Sequence, residues 1–308
     1  MVSAIIKQAD FVRIFAVITP IFLACAGACA RTTKLDVPPP IPAADAPPLP
    51  TAPPLDGGPV EAGAIDAAAP DSAPPDASLP WTPLAAAEID GPYEIPFEPG
   101  RPVWYALPKN GSRPRRLVGH LHGICGPPVY ACGKWISAGV EAGIVVCPTG
   151  NAKCGDSPVS PASWEAPSWT ELVTLMDHDL EASVAKVESK HKGSIDRSGA
   201  ILTGYSRGAY AAAVIARLPK NKNRWPYLVL IEASVSLSAA SLRAAGVKAV
   251  ALVAGEQGNE IASERATAAA LEKDGFPARL FIMKKTGHLY SDDMEYVMHD
   301  ALSWVVAQ

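Results

Sequence analysis

Residues 81–308 predict an α/β domain with a mostly parallel sheet covered by helices on both faces, and three observations carry that expectation. Short runs of β-branched and aliphatic residues recur, each is followed by a Gly/Pro turn, and the turns lead into stretches with helical apolar spacing. The runs are nearly all apolar rather than alternating, as strands buried on both faces are. No internal repeat is evident.

The elements follow in order. "PVWYALP" (102–108) and "RRLVGHLHG" (115–123) read as consecutive early strands, and "GIVVCPTG" (143–150) as the next. A helix over 169–189 is predicted by Leu172, Leu175, Met176, Leu180, Val184 and Val187, which fall on one helical face. "GAILTGYSRG" (199–208) is a buried strand running into a glycine turn, and "AYAAAVIARL" (209–218) is the helix that leaves it. A strand at 227–234, a short helix over "SAASLRAAG" and a strand at 248–256 come next. The chain finishes with a helix over 263–273, a strand at 278–285, the turn "TGHLY" and a last helix from about Asp292.

The N-terminal part has a different composition. Lys7 and Arg13 precede the apolar run "IFAVITPIFLACAGACA", which is short for a membrane span and ends in small residues, so 1–30 reads as an export signal. Two exits fit the residues. Phe22-Leu23-Ala24-Cys25 resembles an imperfect lipobox with Cys25 lipidated, and Ala28-Cys29-Ala30 has the small-x-small form of ordinary cleavage. An uncleaved anchor is the rival reading, since the run approaches the ~17 residues at which spanning begins. Residues 31–80, dominated by Ala, Pro, Gly and Asp, cannot bury enough surface to offset their ordering entropy and read as a disordered, semi-stiff tether.

The net charge of −4, with no basic stripe or aromatic platform, argues against a nucleic-acid partner. Cys125 and Cys132, like Cys147 and Cys154, are seven residues apart and bracket Gly/Pro-containing loops. In an exported chain they suggest disulfides, and pairing 125 with 132 and 147 with 154 is the expectation, although three connectivities are open. Zinc ligands are usually only two to four residues apart, which sets a metal site below a disulfide reading.

The chemistry centres on Gly204-Tyr205-Ser206-Arg207-Gly208. A serine hydroxyl needs a base, a group that orients the base, and donors for the oxyanion that forms. Glycines on either side of Ser206 let a strand end and a helix start approach each other, and the helix N-terminus places amides beside the serine. His288, in "KKTGHLYSDD" beyond the last strand, is the candidate base. The amides of Arg207 and of Ile124, in "GHLHGICG", are the candidate oxyanion donors. His120 and His122 alternate on a strand and could face a metal, but Gly123 and Ile124 follow where His-x-His metallohydrolases continue with Asp-His. No cofactor or metal is expected.

On the Ser206 turn, the His122-Gly123 loop and the "TGHLY" histidine, the chain resembles the α/β-hydrolase superfamily, in particular its compact esterase and dienelactone-hydrolase-like members, over about Pro92 to Val306. The resemblance implies a mainly parallel eight-stranded sheet and hydrolysis of esters through an acyl-enzyme. It also implies an aspartate about three residues beyond the glycine after the seventh strand, and here Gly255-Glu256-Gln257-Gly258 has glycine at that place. Glu256 is the expected acid, with Glu260 nearby and Glu232, at the end of the preceding strand, as further candidates. The segment "SVSLSAASLRAAGV" is too short for a large lid, which favours small or polymer-end ester substrates. The expectation is therefore an exported serine carboxylesterase, either held at the cell envelope by a lipid anchor at Cys25 or released as a periplasmic or extracellular protein, with the choice between the two left open. A binding or envelope protein with decayed chemistry is the second reading, motivated by the missing aspartate.

Overall fold

The structure is a computed structural model that describes residues 81–109, 115–157 and 159–308. The expected signal at 1–30, with Cys25, and the expected tether at 31–80 lie outside the described residues.

After a 3₁₀ turn at Ala86–Glu88 the chain forms β1 (Ile89–Glu98), β2 (Arg101–Pro108) and β3 (Arg115–Leu121). Two short helices, α1 (Pro128–Gly133) and α2 (Ile136–Ala142), lead to β4 (Ile144–Cys147), and a two-stranded ribbon of β5 (Ala152–Lys153) and β6 (Ala162–Ser163) follows. Then come α3 (Trp169–Lys190), β7 (Ile195–Tyr205), α4 (Arg207–Ile215), β8 (Tyr227–Ile231), α5 (Ala239–Ala245), β9 (Ala249–Gly255), α6 (Ile261–Lys273), β10 (Ala278–Met283) and α7 (Met294–Val306). The main sheet has eight strands in the order β1-β2-β4-β3-β7-β8-β9-β10. β2 runs antiparallel to both its neighbours and every other pair is parallel. This is the α/β-hydrolase fold.

The unbroken apolar runs are explained by two cores. In β8, Leu228 and Leu230 join one cluster with α3 and α4, while Tyr227, Val229 and Ile231 join another with α2 and α7. β9 divides likewise, Val250 and Leu252 to the first face and Ala249, Ala251 and Val253 to the second. α3 is capped by Ser168, whose Oγ accepts the Glu171 N–H at 3.2 Å. Its buried face includes Val173, whereas the expected Leu175 is half-buried, a shift of the stripe by part of a turn.

Three features escape the sequence pattern. β1 contains Pro92 and Pro96, which argue against a strand; it is the edge of the sheet and pairs only with β2, so the missing N–H groups cost little. α1 and α2 have six and seven residues, too few to show a period.

The disulfide pairing differs from the expectation. Cys125 bonds Cys154 and Cys132 bonds Cys147, closing nested loops with sequence separations of 29 and 15. The local pairs fail because α1 intervenes. It carries Cys132 away from the loop that holds Cys125 and into the core against the end of β4, where Cys147 sits with 1% exposure.

Candidate active site

Ser206 stands alone between β7, which ends at Tyr205, and α4, which begins at Arg207. The helix thus starts two residues before the expected position 209. Its backbone has φ 51° and ψ −120°, a conformation that non-glycine residues adopt at a cost of about 1–3 kcal/mol and that aims the side chain out of the turn. The turn is pinned by the Ser206 N–H, which donates to the Ile231 carbonyl at 2.8 Å, and by the Ser206 carbonyl, which accepts from Ala209 and Tyr210 at 2.8 and 3.1 Å. The flanking glycines are steric necessities: a Cβ on Gly208 would lie 1.9 Å from the Leu121 carbonyl oxygen, and one on Gly204 2.4 Å from that of Gly208.

His288 Nε2 lies 2.9 Å from Ser206 Oγ, and His288 Nδ1 lies 3.0 Å from Glu232 Oε2. The structure therefore brings together two of the expected residues and replaces the third. Glu256, the expected acid, turns its Oε2 to the Lys285 N–H at 3.0 Å and shapes the loop that carries His288 without touching the ring. Glu260 accepts from Ser234 Oγ at 2.6 Å. Glu232 follows β8 directly, with φ 56°, and its N–H donates to Val253 at 2.8 Å. The residue was readable as a carboxylate ending an apolar run; what the sequence could not show is the kink that turns it toward β9. A Cβ at Gly258 would lie 3.2 Å from Glu232 Oε2, so glycine at 258 leaves room for the Glu232 carboxylate.

Glu232 has no exposed surface. Burial pushes its carboxyl above the ordinary range, opposed by the Gly255 N–H that donates to Oε1 and by His288. Behind it lies Glu264, also fully buried, whose Oε1 accepts the Ala233 N–H at 2.6 Å while Oε2 has no partner. Burial, with the nearby Glu232 and Glu260 charges, pushes Glu264 up to about 9, so at neutral pH it is a neutral acid. Tyr205 OH donates to the His288 carbonyl at 2.7 Å, tying the base to the residue beside the serine. Sequence reading missed both Glu264 and this bond.

Gly123 packs against the serine: a Cβ there would sit 2.8 Å from Tyr205 Cδ1 and 3.2 Å from Ser206 Cβ. Ile124 and Arg207, the expected oxyanion donors, line the same cleft as Ser206, a space of about 560 Å³. Arg207 is the first residue of α4, where helix geometry offers an N–H no carbonyl partner of its own. His120 and His122 go to separate partners. His122 Nε2 accepts the Gly150 N–H at 2.9 Å, which leaves Nδ1 to donate to the Gly123 carbonyl at 2.7 Å. His120 Nδ1 lies 2.7 Å from Thr203 Oγ1. Burial lowers their pKa values to about 3 for His120 and about 4 for His122, so both rings are neutral supports of the loop.

No family model and no curated protein matches the chain. Solved structures similar to it include an S-formylglutathione hydrolase from Agrobacterium tumefaciens, 16% identical over 73% of this chain and 98% of that one with a TM-score of 0.49. A Pyrobaculum calidifontis esterase is 14% identical over 71% of this chain and 84% of its own, with a TM-score of 0.48. TT1662 from Thermus thermophilus is 16% identical over 67% and 94%, with a TM-score of 0.47. Likenesses of this degree carry no argument about activity, which rests on the site itself.

Proposed function

We propose that the chain is an exported serine carboxylesterase acting on small acyl esters through an acyl-enzyme. The observation that supports this most is the continuous contact from Ser206 Oγ to His288 Nε2 and from His288 Nδ1 to Glu232 Oε2, at 2.9 and 3.0 Å. Nucleophile and orienting acid then follow the adjacent strands β7 and β8, and the base comes from the loop after β10, two strands beyond β8 in the sheet.

In the reaction, Ser206 Oγ bonds to the ester carbonyl carbon as its proton passes to His288 Nε2. Glu232 keeps the other ring proton on Nδ1 and faces the imidazolium that forms. The carbonyl oxygen becomes an anion held by the amides of Arg207 and Ile124. Collapse breaks the bond to the alcohol oxygen, which leaves with the His288 proton. Water then repeats the sequence on the acyl-enzyme, releasing the acid and restoring Ser206.

The two disulfides suit an oxidising compartment, and export through the 1–30 segment, with Cys25 or Ala30 as the exit, fits them. Among the described residues, no helix is long and apolar enough to cross a membrane. Mass spectrometry of the mature N-terminus separates a lipidated Cys25 from a free Arg31. The second reading, a binding protein with decayed chemistry, rests on glycine at 258; the Glu232 carboxylate beside His288 supports the esterase reading over it. Hydrolysis of 4-nitrophenyl acetate by wild type and by Ser206→Ala tests the activity: a rate in the wild type that disappears in the variant is expected, and equal rates would contradict it.

A further inference from the structure

The cleft at Ser206 continues in two directions, one with mostly apolar walls and one that carries the Glu165 carboxylate. On one side it shares Trp169 and Tyr210 with a second space of about 390 Å³ that includes Ala213 and Val214. Ser206, Tyr210, Ala213 and Val214 are spaced along one face of α4, and at 1.5 Å per residue Val214 lies about 12 Å beyond the serine. The arm's walls are mostly aromatic and aliphatic, with Arg217 and two serines completing them, and Trp169 is 45% exposed at the start of α3.

On the other side the cleft shares Glu165 with a hollow of about 390 Å³ that includes Asn151 and Ala152. That hollow leads, through Asn151 and Ala152, to another of about 490 Å³ beside Arg101 and Thr149. The Glu165 backbone is fixed from both sides by Asn151, whose Nδ2 donates to the Glu165 carbonyl at 2.8 Å and whose Oδ1 accepts the Glu165 N–H at 3.0 Å. Its carboxylate is exposed and has no hydrogen bond or ion pair with any described residue. An exposed carboxylate on a fixed backbone, with open acceptor positions, suits adjacent hydroxyl groups.

Resting on the esterase reading, we propose that the substrate joins an apolar acyl group of aryl size to a polyhydroxylated alcohol, the acyl group lying along α4 and the alcohol against Glu165. The orientation is the one that gives an aryl ring the mostly apolar wall along α4 and gives hydroxyl groups the open acceptor at Glu165.

The test compares kcat/KM for two substrate pairs. 4-Nitrophenyl benzoate against 4-nitrophenyl acetate reads the acyl arm, and 6-O-benzoylglucose against ethyl benzoate reads the alcohol arm. The wild type is expected to prefer the first of each pair. Val214→Arg, and Val214→Trp as an uncharged way to fill the same space, should lower the benzoate preference at least tenfold. Glu165→Ala should lower the glucose preference about tenfold, with Glu165→Gln restoring part of it through its remaining carbonyl acceptor. Ratios that stay the same in the variants, or a wild type that prefers acetate and the ethyl ester, would overturn this proposal alone. Absence of any Ser206-dependent hydrolysis would overturn the esterase reading with it.

Discussion

Ser206 and Glu232 leave adjacent parallel strands through the same kind of kink. Their φ values are 51° and 56°, and each donates its N–H to the next strand in line, Ser206 to Ile231 and Glu232 to Val253, both at 2.8 Å. The two side chains therefore emerge from a rigid sheet edge with one strand spacing between them, and His288 fills the gap from the loop after β10. Strain at both positions is held by the ladder rather than by the site's own contacts.

The first consequence concerns the acid. Glu232→Gln keeps the shape but removes the charge that faces the imidazolium and permits the wrong ring tautomer, so kcat should fall by roughly 10⁴-fold. Glu256→Gln touches only the Lys285 amide and should cost less than about tenfold. Steady-state kinetics of the two variants on one ester decides the assignment, and a larger loss in Glu256→Gln would reverse it.

Glu264 makes stability depend on pH. Its folded-state pKa of about 9 exceeds the ordinary value of 4.5, so the folded chain holds a proton that the unfolded chain has released. Stability should then fall as pH rises from about 4.5 to about 9 and level off beyond. Glu264→Gln keeps the oxygen that accepts from Ala233 and should flatten this slope, melting at a higher temperature than wild type near pH 8. Thermal melts from pH 5 to 9, as an order-of-magnitude window around that titration, would show parallel curves if the Glu264 proton plays no part.

The two disulfides should separate function from stability. The Cys125–Cys154 bridge, with separation 29, anchors the loop that presents Ile124, and replacing both residues by Ser should lower kcat even below the melting transition. The Cys132–Cys147 bridge, with separation 15, joins α1 to β4 inside the core; its loss should cost on the order of 3 kcal/mol of stability with kcat preserved in the folded protein. Melting curves and kcat for both double variants test this, and equal effects on kcat would contradict it.

Gly123→Ala probes how tightly the serine is held. The added methyl meets Tyr205 and Ser206 at 2.8 and 3.2 Å, and its accommodation must move the nucleophile or the loop. A loss of about 10²-fold in kcat is expected for a displacement near 1 Å, with little change in melting temperature. Unchanged kcat would mean that the loop yields freely.

The sheet was legible because its strands are buried on both sides: β7, β8 and β9 announce themselves as unbroken apolar runs, and Gly204 and Gly208 mark the one place where a strand must meet a helix without Cβ atoms. His288 was legible by its place after the last strand. Glu232 was legible only as one of three candidate carboxylates, because its contact with His288 depends on a backbone kink at Glu232 and on empty space at Gly258, neither of which has a pattern in one dimension. The disulfides were misread for a related reason. Equal spacings of seven suggested local loops, while α1, invisible as a six-residue helix, sends Cys132 to the far side of the loop.

Exposure of the folded, disulfide-intact protein to a fluorophosphonate, followed by intact-mass measurement and peptide mapping, asks whether Ser206 is an activated nucleophile. A single adduct on Ser206, absent in Ser206→Ala and strongly slowed in His288→Ala and Glu232→Gln, is the expected result. No adduct, or an adduct on another residue, would contradict the assignment of Ser206, His288 and Glu232 as one catalytic unit.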